Sequence, residues 1–445
     1  MKLSKFGRIS LALAASLVIA FGTDSCHYNY TEAYIIVTGS QYNQVASFKE
    51  NNETGVLLPA PNDPQSSVGN NPIRAALLIG GRYVYVLNEG SPTLQSDNTI
   101  AWKGGGIALF SIGGDGQLAY QTFYSSQGLG SIRLAISLAG TYLYVLDQYQ
   151  PGTTPGVTPA STTQTAATPC YDSTTGVWRP AGDVTVFSID GNTGRLFLLQ
   201  NQQQQNSQGT PLSYFPIGCG PIDFHLTTNY LYTGEQEDPA SGNTQVVYTY
   251  SVLPVTGQLV QVPGGAQPIG TSSMAVIGSD AANHYIYVLD NGSNMIYTFT
   301  AGNNGLLSAI ASGGAVPNYP GASGMTALTT DSASKFLYIT NTQAIGLGNS
   351  QSVISAFTIN PTTGALQPLA AAGSSTVSFF PTGPSPQCIF EDPSHQFIYT
   401  ADADGSVITG AAYRSDTGQL ANLPKQSTFP TVGTPTWCLY SANTD

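Results

Sequence analysis

The chain has 445 residues, 41% hydrophobic and only 9% charged, with a formal net charge of −12. That hydrophobicity suffices for a large core and excludes global disorder. The acidic balance excludes a nucleic-acid partner and an anionic lipid surface, since both require basic residues that neutralise phosphates. Gly, Ser, Thr, Asn and Gln supply the polarity, which suits short strands and many turns better than long exposed helices.

In chain order, Lys2, Lys5 and Arg8 precede an apolar run from Ile9 to Phe21. A basic n-region and a short apolar h-region predict a cleaved export signal over residues 1–25, because the run is too short to span a bilayer comfortably. Gly22-Thr23-Asp24-Ser25-Cys26 follows. A small residue before Cys matches a bacterial lipoprotein signal, although Thr23 stands where Leu is usual. Lipidation at Cys26, giving a periplasmic or cell-surface lipoprotein, and plain secretion are the two expectations. Membrane contact would come only through that lipid. Losing residues 1–25 leaves ten Lys and Arg against 24 Asp and Glu. Residues 26–33 form a short tether, and residues 34–445 a single domain.

That domain is written in repeats. Tyr34-Ile-Ile-Val-Thr-Gly39 is followed by Tyr83-Val-Tyr-Val-Leu-Asn88, Tyr142-Leu-Tyr-Val-Leu-Asp147 and Tyr230-Leu-Tyr-Thr-Gly-Glu235. Tyr285-Ile-Tyr-Val-Leu-Asp290, Phe336-Leu-Tyr-Ile-Thr-Asn341 and Phe397-Ile-Tyr-Thr-Ala-Asp402 complete seven copies. Each reads as a strand of β-branched and aromatic residues with a polar stop. A Gly-x-Leu marker accompanies every copy, at Gly55, Gly116, Gly194, Gly257, Gly305, Gly364 and Gly418. Each glycine follows a polar turn, where a tight hairpin needs positive φ. A Phe-containing run lies between the two markers, as in Ile107–Ile112, and another apolar run precedes each Tyr-x-Tyr copy. One unit is therefore four strands: A before Tyr-x-Tyr, B on it, C on the Phe run and D after Gly-x-Leu.

Four-stranded units at a period of about 50 residues predict an all-β fold, a seven-bladed β-propeller of antiparallel blades. The first copy lacks an A strand, and Thr436-Trp-Cys-Leu-Tyr440 looks like an orphan one. The C-terminal strand is thus expected to join the N-terminal blade and close the ring. The long connections, Pro59 to Pro72, Glu89 to Gly105, Gln148 to Gly182 and Gln200 to Gly220, all fall on the B–C and D–A side, the top face. Loops of such length are usually functional or unstructured.

The Tyr-Val-x-Asn-type strand, the Thr-Gly-x-Leu turn and the export signal together resemble the lactonase-type seven-bladed β-propellers. These are relatives of 6-phosphogluconolactonase and of the surface proteins with YVTN repeats, and the resemblance covers residues 34 to 445. It implies hydrolysis of a sugar lactone or similar small ester at the top of the central channel. A carboxylic ester hydrolase of this kind needs a polarised carbonyl and an activated water.

Aligning the A strands brings Arg74, Arg133, Asp223, Cys388 and Cys438 to one ring, with His225 two residues beyond Asp223 on the same side. Arg74, Arg133, Asp223 and His225 are the candidate catalytic residues. The competing interpretation pairs the arginines with channel carboxylates and packs His225 in its strand. The B-strand ends, Asn88, Asp147, Glu235, Asp290, Asn341 and Asp402, are expected to hydrogen-bond the following turns. Besides Cys26 the cysteines are Cys170, Cys219, Cys388 and Cys438. Two disulfides among these four allow three pairings, Cys170 with Cys219 and Cys388 with Cys438 among them. No nucleotide or nucleophile-elbow signature occurs in a fitting strand–helix context, so no cofactor is expected. The alternative to an enzyme is a non-catalytic propeller that binds a glycan, peptide or protein partner through the top loops.

Overall fold

The computed structural model describes residues 30–94, 100–151, 171–172, 177–178, 181–237, 245–269, 273–311, 313–344, 351–369 and 379–442. The predicted export signal, Cys26 and Cys170 lie outside them. Every regular element among the described residues is a strand.

Seven antiparallel blades follow one another. Blade two is representative: Pro72–Leu77 innermost, then Tyr83–Asn88, Gly106–Ile112 and Leu118–Tyr124 at the outer edge. In Tyr83–Asn88 every residue after the first is buried. Such a strand has a neighbouring blade against each face, so it reads as a continuous apolar run rather than an alternation. The core accordingly lies between blades. Ile35 and Phe48 of the first blade pack with Tyr399 and Ile408 of the seventh, and Leu87 and Leu109 of the second with Leu143 and Val145 of the third.

The outer strand differs from expectation. In five blades it is broken into two short pieces, as in Leu307–Ala309 and Ala315–Pro317, both pairing with Met295–Ala301. A broken edge offers little template for pairing with another chain, and prolines such as Pro59, Pro317, Pro368 and Pro430 withhold donors there. In blade three the second piece is the start of Phe215–Leu226, which runs on to become the innermost strand of blade four. Those two blades therefore share one eight-stranded sheet. The Gln202–Gln205 run lies just before it and is tied down: the Asn201 side-chain oxygen accepts from the amides of Gln203 and Gln204, at 2.9 and 3.1 Å.

The two ends of the chain meet. The final strand, Pro435–Ala442, pairs antiparallel with Thr31–Gly39, with Val37 opposite Cys438 and Thr38 opposite Trp437. Cys388, on the innermost strand of blade seven, forms a disulfide with Cys438 across a sequence separation of 50. Head, tail and last blade are thus joined at one seam.

A second interlock runs around the molecule and unites the two sequence markers. The first aromatic residue of each Tyr-x-Tyr strand lies on the Gly-x-Leu glycine of the next blade. Tyr34 covers Gly116, Tyr83 covers Gly194, Tyr142 covers Gly257 and Tyr230 covers Gly305; Tyr285 covers Gly364, Phe336 covers Gly418 and Phe397 covers Gly55. The seventh contact returns to the first blade. A Cβ on Gly364 would sit 2.4 Å from the Tyr285 ring, and its φ is +72°. Both space and backbone conformation therefore demand glycine. Hydroxyls reinforce the contact: Tyr85 donates to the Gly194 carbonyl at 2.7 Å and Tyr338 to that of Gly418 at 2.9 Å.

Candidate functional site

The innermost strands carry the candidate residues, and each contains a bulge near its start. The register shifts between Pro72 and Arg74, Ser131 and Arg133, Pro221 and Asp223, Met274 and Val276, Met325 and Ala327, and Pro386 and Cys388. The closing strand shifts between Pro435 and Trp437. A bulge inserts one residue and re-aims those that follow. The seven equivalent positions after it are Arg74, Arg133, Asp223, Val276, Ala327, Cys388 and Trp437. Trp437, not Cys438, therefore matches Cys388; the one-residue offset leaves the two sulfurs bonded across adjacent strands. Sequence alignment of short apolar runs does not register a bulge, and Trp437 was missed for that reason.

Four of these positions converge. Arg133 and Asp223 form a two-pronged ion pair, Nε on Oδ1 and Nη2 on Oδ2, the latter at 2.7 Å. The Arg133 side chain is 11% exposed and that of Asp223 3%. Asp223 accepts two further bonds, from the amide of Phe224 and from the amide of Ile277 in the next blade, both at 2.8 Å. Four donors occupy the two oxygens. Asp223 thereby joins three blades, with both its oxygens occupied.

Arg74 differs. Its Nη1 donates to the carbonyls of Ile73 at 2.8 Å and Thr436 at 3.4 Å, and its Nε is buried with no protein partner. No ion pair engages it among the described residues. The Arg74 guanidinium lies 4.4 Å from the Trp437 ring centroid, and that of Arg133 5.2 Å from the same centroid. Burial, helped by the Arg133 charge, pushes the Arg74 guanidinium down to about 9. Two arginines and one aspartate leave this cluster with a net positive charge inside an acidic protein.

His225 is not part of that cluster's hydrogen bonding. Its Nε2 is 2.9 Å from the Ser279 hydroxyl, which also donates to the Asn283 side-chain oxygen at 2.7 Å. Burial pushes the imidazole down to about 4, so it is neutral at physiological pH. Arg133 and Asp223 are therefore brought together, Arg74 beside them on the shared tryptophan, and His225 is held separately.

The ring of B-strand ends is wholly buried. Asp402 accepts from the Gly383 amide at 3.2 Å and the Thr409 hydroxyl at 2.6 Å, and Asp290 from the amides of Gly292 and Ser293 at 3.1 and 3.0 Å. Asp147 accepts from the hydroxyls of Ser126 and Ser131 and from the Gly128 amide. Asp290 thus fastens the turn that follows its strand, as expected, whereas Asp147 and Asp402 fasten the segment that leads into their own blade. Burial holds Asp147 and Asp402 up to about 6. Cys219 is disulfide-bonded.

The family described as lactonase, seven-bladed β-propeller, matches residues 246–440. No curated protein matches the chain in sequence. Among solved structures, the periplasmic gluconolactonase of Pseudomonas aeruginosa superposes with a TM-score of 0.64 at 15% identity, covering 92% of this chain and 99% of that one. A candidate 6-phosphogluconolactonase of Bacteroides fragilis gives 0.63 at 16% identity over 94% and 99%, and one from Bacteroides uniformis 0.62 at 15% over 92% and 99%. At such identities the likeness is one of fold. Seven antiparallel blades, with the family's pattern matched over residues 246–440, give this chain the fold of the lactonase-type seven-bladed β-propellers.

Proposed function

We propose that this protein is an exported hydrolase of a small lactone, such as that of a sugar acid, bound at the B–C end of the channel. The observation that carries this reading is Arg74, a guanidinium with a buried, unpaired Nε, no carboxylate partner among the described residues and a tryptophan face beneath it. Such a group recognises a carboxylate or phosphate, or the oxyanion that forms when water adds to a lactone carbonyl. Trp437 holds the Arg74 guanidinium in place from beneath. Water addition followed by ring C–O cleavage gives the hydroxy acid, whose proton goes to solvent. Arg133 holds its orientation through Asp223, which acts as a positioning residue. Catalysis by this set is electrophilic.

A second reading is favoured by the same saturation of Asp223 and by the burial of His225: a channel that binds a sugar acid without turning it over. One experiment separates them. Purified protein is assayed against a panel of aldonolactones, and binding of the corresponding aldonic acids is titrated in parallel. Hydrolysis above background that falls about 10²-fold or more in Arg74→Ala supports the enzyme. Binding lost in that variant, with no turnover in wild type, supports the second reading. Absence of both discards the channel site.

Export is supported by the disulfide-bonded cysteines, which require an oxidising compartment. Mass spectrometry of the mature N-terminus distinguishes acylated Cys26 from plain cleavage.

A further inference from the structure

A cavity of about 280 Å³ opens at the seam between the first and seventh blades, away from the channel. Its floor is the strand Gln44–Asn51, whose alternate residues Gln44, Ala46 and Phe48 face it. One wall is Pro430 to Gly433, just before the closing strand; the other holds Asp63 and Pro64. Tyr42 overhangs the opening, 64% exposed, with its ring 3.0 Å from where a Gly433 Cβ would stand.

Two polar atoms in this apolar lining have no protein partner. The Asp63 carboxylate accepts from the Ser47 amide at 3.0 Å through Oδ2, while its Oδ1 is buried and unpaired. The Thr431 hydroxyl is likewise buried and unpaired. No cationic side chain pairs with Asp63 among the described residues. A buried carboxylate oxygen without a donor is expensive unless something supplies one. From this geometry we propose that the seam cavity binds a small organic amine, its ammonium on Asp63 Oδ1 and its short apolar body between Phe48, Val432 and the Tyr42 ring. Burial and the neighbouring Asp115 charge hold the unliganded Asp63 carboxyl up to about 7, the environment a cation would relieve. The Tyr42 ring at the rim covers the apolar body of the ligand.

The test is calorimetric titration of the full mature protein with n-hexylamine, n-hexanol and hexanoate. The amine is expected to saturate one site about tenfold more tightly than the alcohol, hexanoate not to bind, and Asp63→Asn to reduce the amine to the level of the alcohol. Equal binding of amine and alcohol, no saturable amine binding, or full amine affinity in Asp63→Asn overturns the proposal. If Asp63→Asn lowers the melting temperature, Tyr42→Ala, altered at an exposed rim, replaces it. Amine binding about threefold weaker in that variant is then expected, and unchanged binding overturns the proposal.

Discussion

Two rings of equivalent positions run through this protein, and they obey opposite rules. At the turn end of each blade, every position of the ring is an aromatic residue on a glycine. At the channel end, the seven positions after the bulge are Arg, Arg, Asp, Val, Ala, Cys and Trp. The first ring repeats because each blade has the same packing problem to solve against the next. The second varies because nothing in the packing of one blade on another requires its residues to be alike. The repeated ring holds every blade to the next in one way, and the varied ring leaves room for individual side chains to differ.

The contrast can be broken from either side. The largest effect is expected at the channel ring, where Arg133→Ala leaves Asp223 buried without its partner. A loss of roughly 3–5 kcal/mol in urea unfolding follows, and replacing both residues with alanine should recover part of it. A channel ring that tolerates the single change would not be the charged centre described. Next is the seam. Cys388→Ser with Cys438→Ser opens a loop of 50 residues and should cost up to about 4 kcal/mol in urea unfolding under oxidising conditions.

At the repeated ring, Gly364→Val brings a side chain against Tyr285 at positive φ and should cost about 3 kcal/mol. If it is tolerated, the aromatic–glycine contact is decoration.

The seam also predicts a pH dependence. Glu50 is buried, its Oε1 accepting from the Tyr399 hydroxyl at 2.8 Å, and burial pushes it from 4.5 to about 9. The unfolded chain releases this proton first, so stability falls as pH rises above the unfolded value and levels off only past the folded one. Between about pH 7 and about pH 8.5 wild type should lose about 2 kcal/mol relative to Glu50→Gln, measured by denaturation at each pH. The smallest effect is Tyr338→Phe, which removes one hydrogen bond to Gly418 and should cost about 1 kcal/mol.

The legibility of the sequence follows the same division. Blade number, strand order and the joining of head and tail were readable because Tyr-x-Tyr and Gly-x-Leu recur for a packing reason. That the two markers touch one another was not, since their contact crosses from one blade to the next and no local pattern records it. The shared sheet of blades three and four was hidden because Phe215–Leu226 does two jobs in a single run. At the site, Arg74, Arg133 and Asp223 were placed by strand alignment, but Trp437 escaped because the bulge moves the register by one. The saturation of Asp223 depends on the Ile277 amide of the next blade, a donor every residue type but proline carries.

The bond between Cys388 and Cys438 decides how the ring would fail under tension. A pull on the two termini loads the hydrogen-bonded ladder between Thr31–Gly39 and Pro435–Ala442, while the tail stays stapled to the seventh blade. The molecule would part by unzipping its head from its tail, one defined tear line, with the last blade carried off whole.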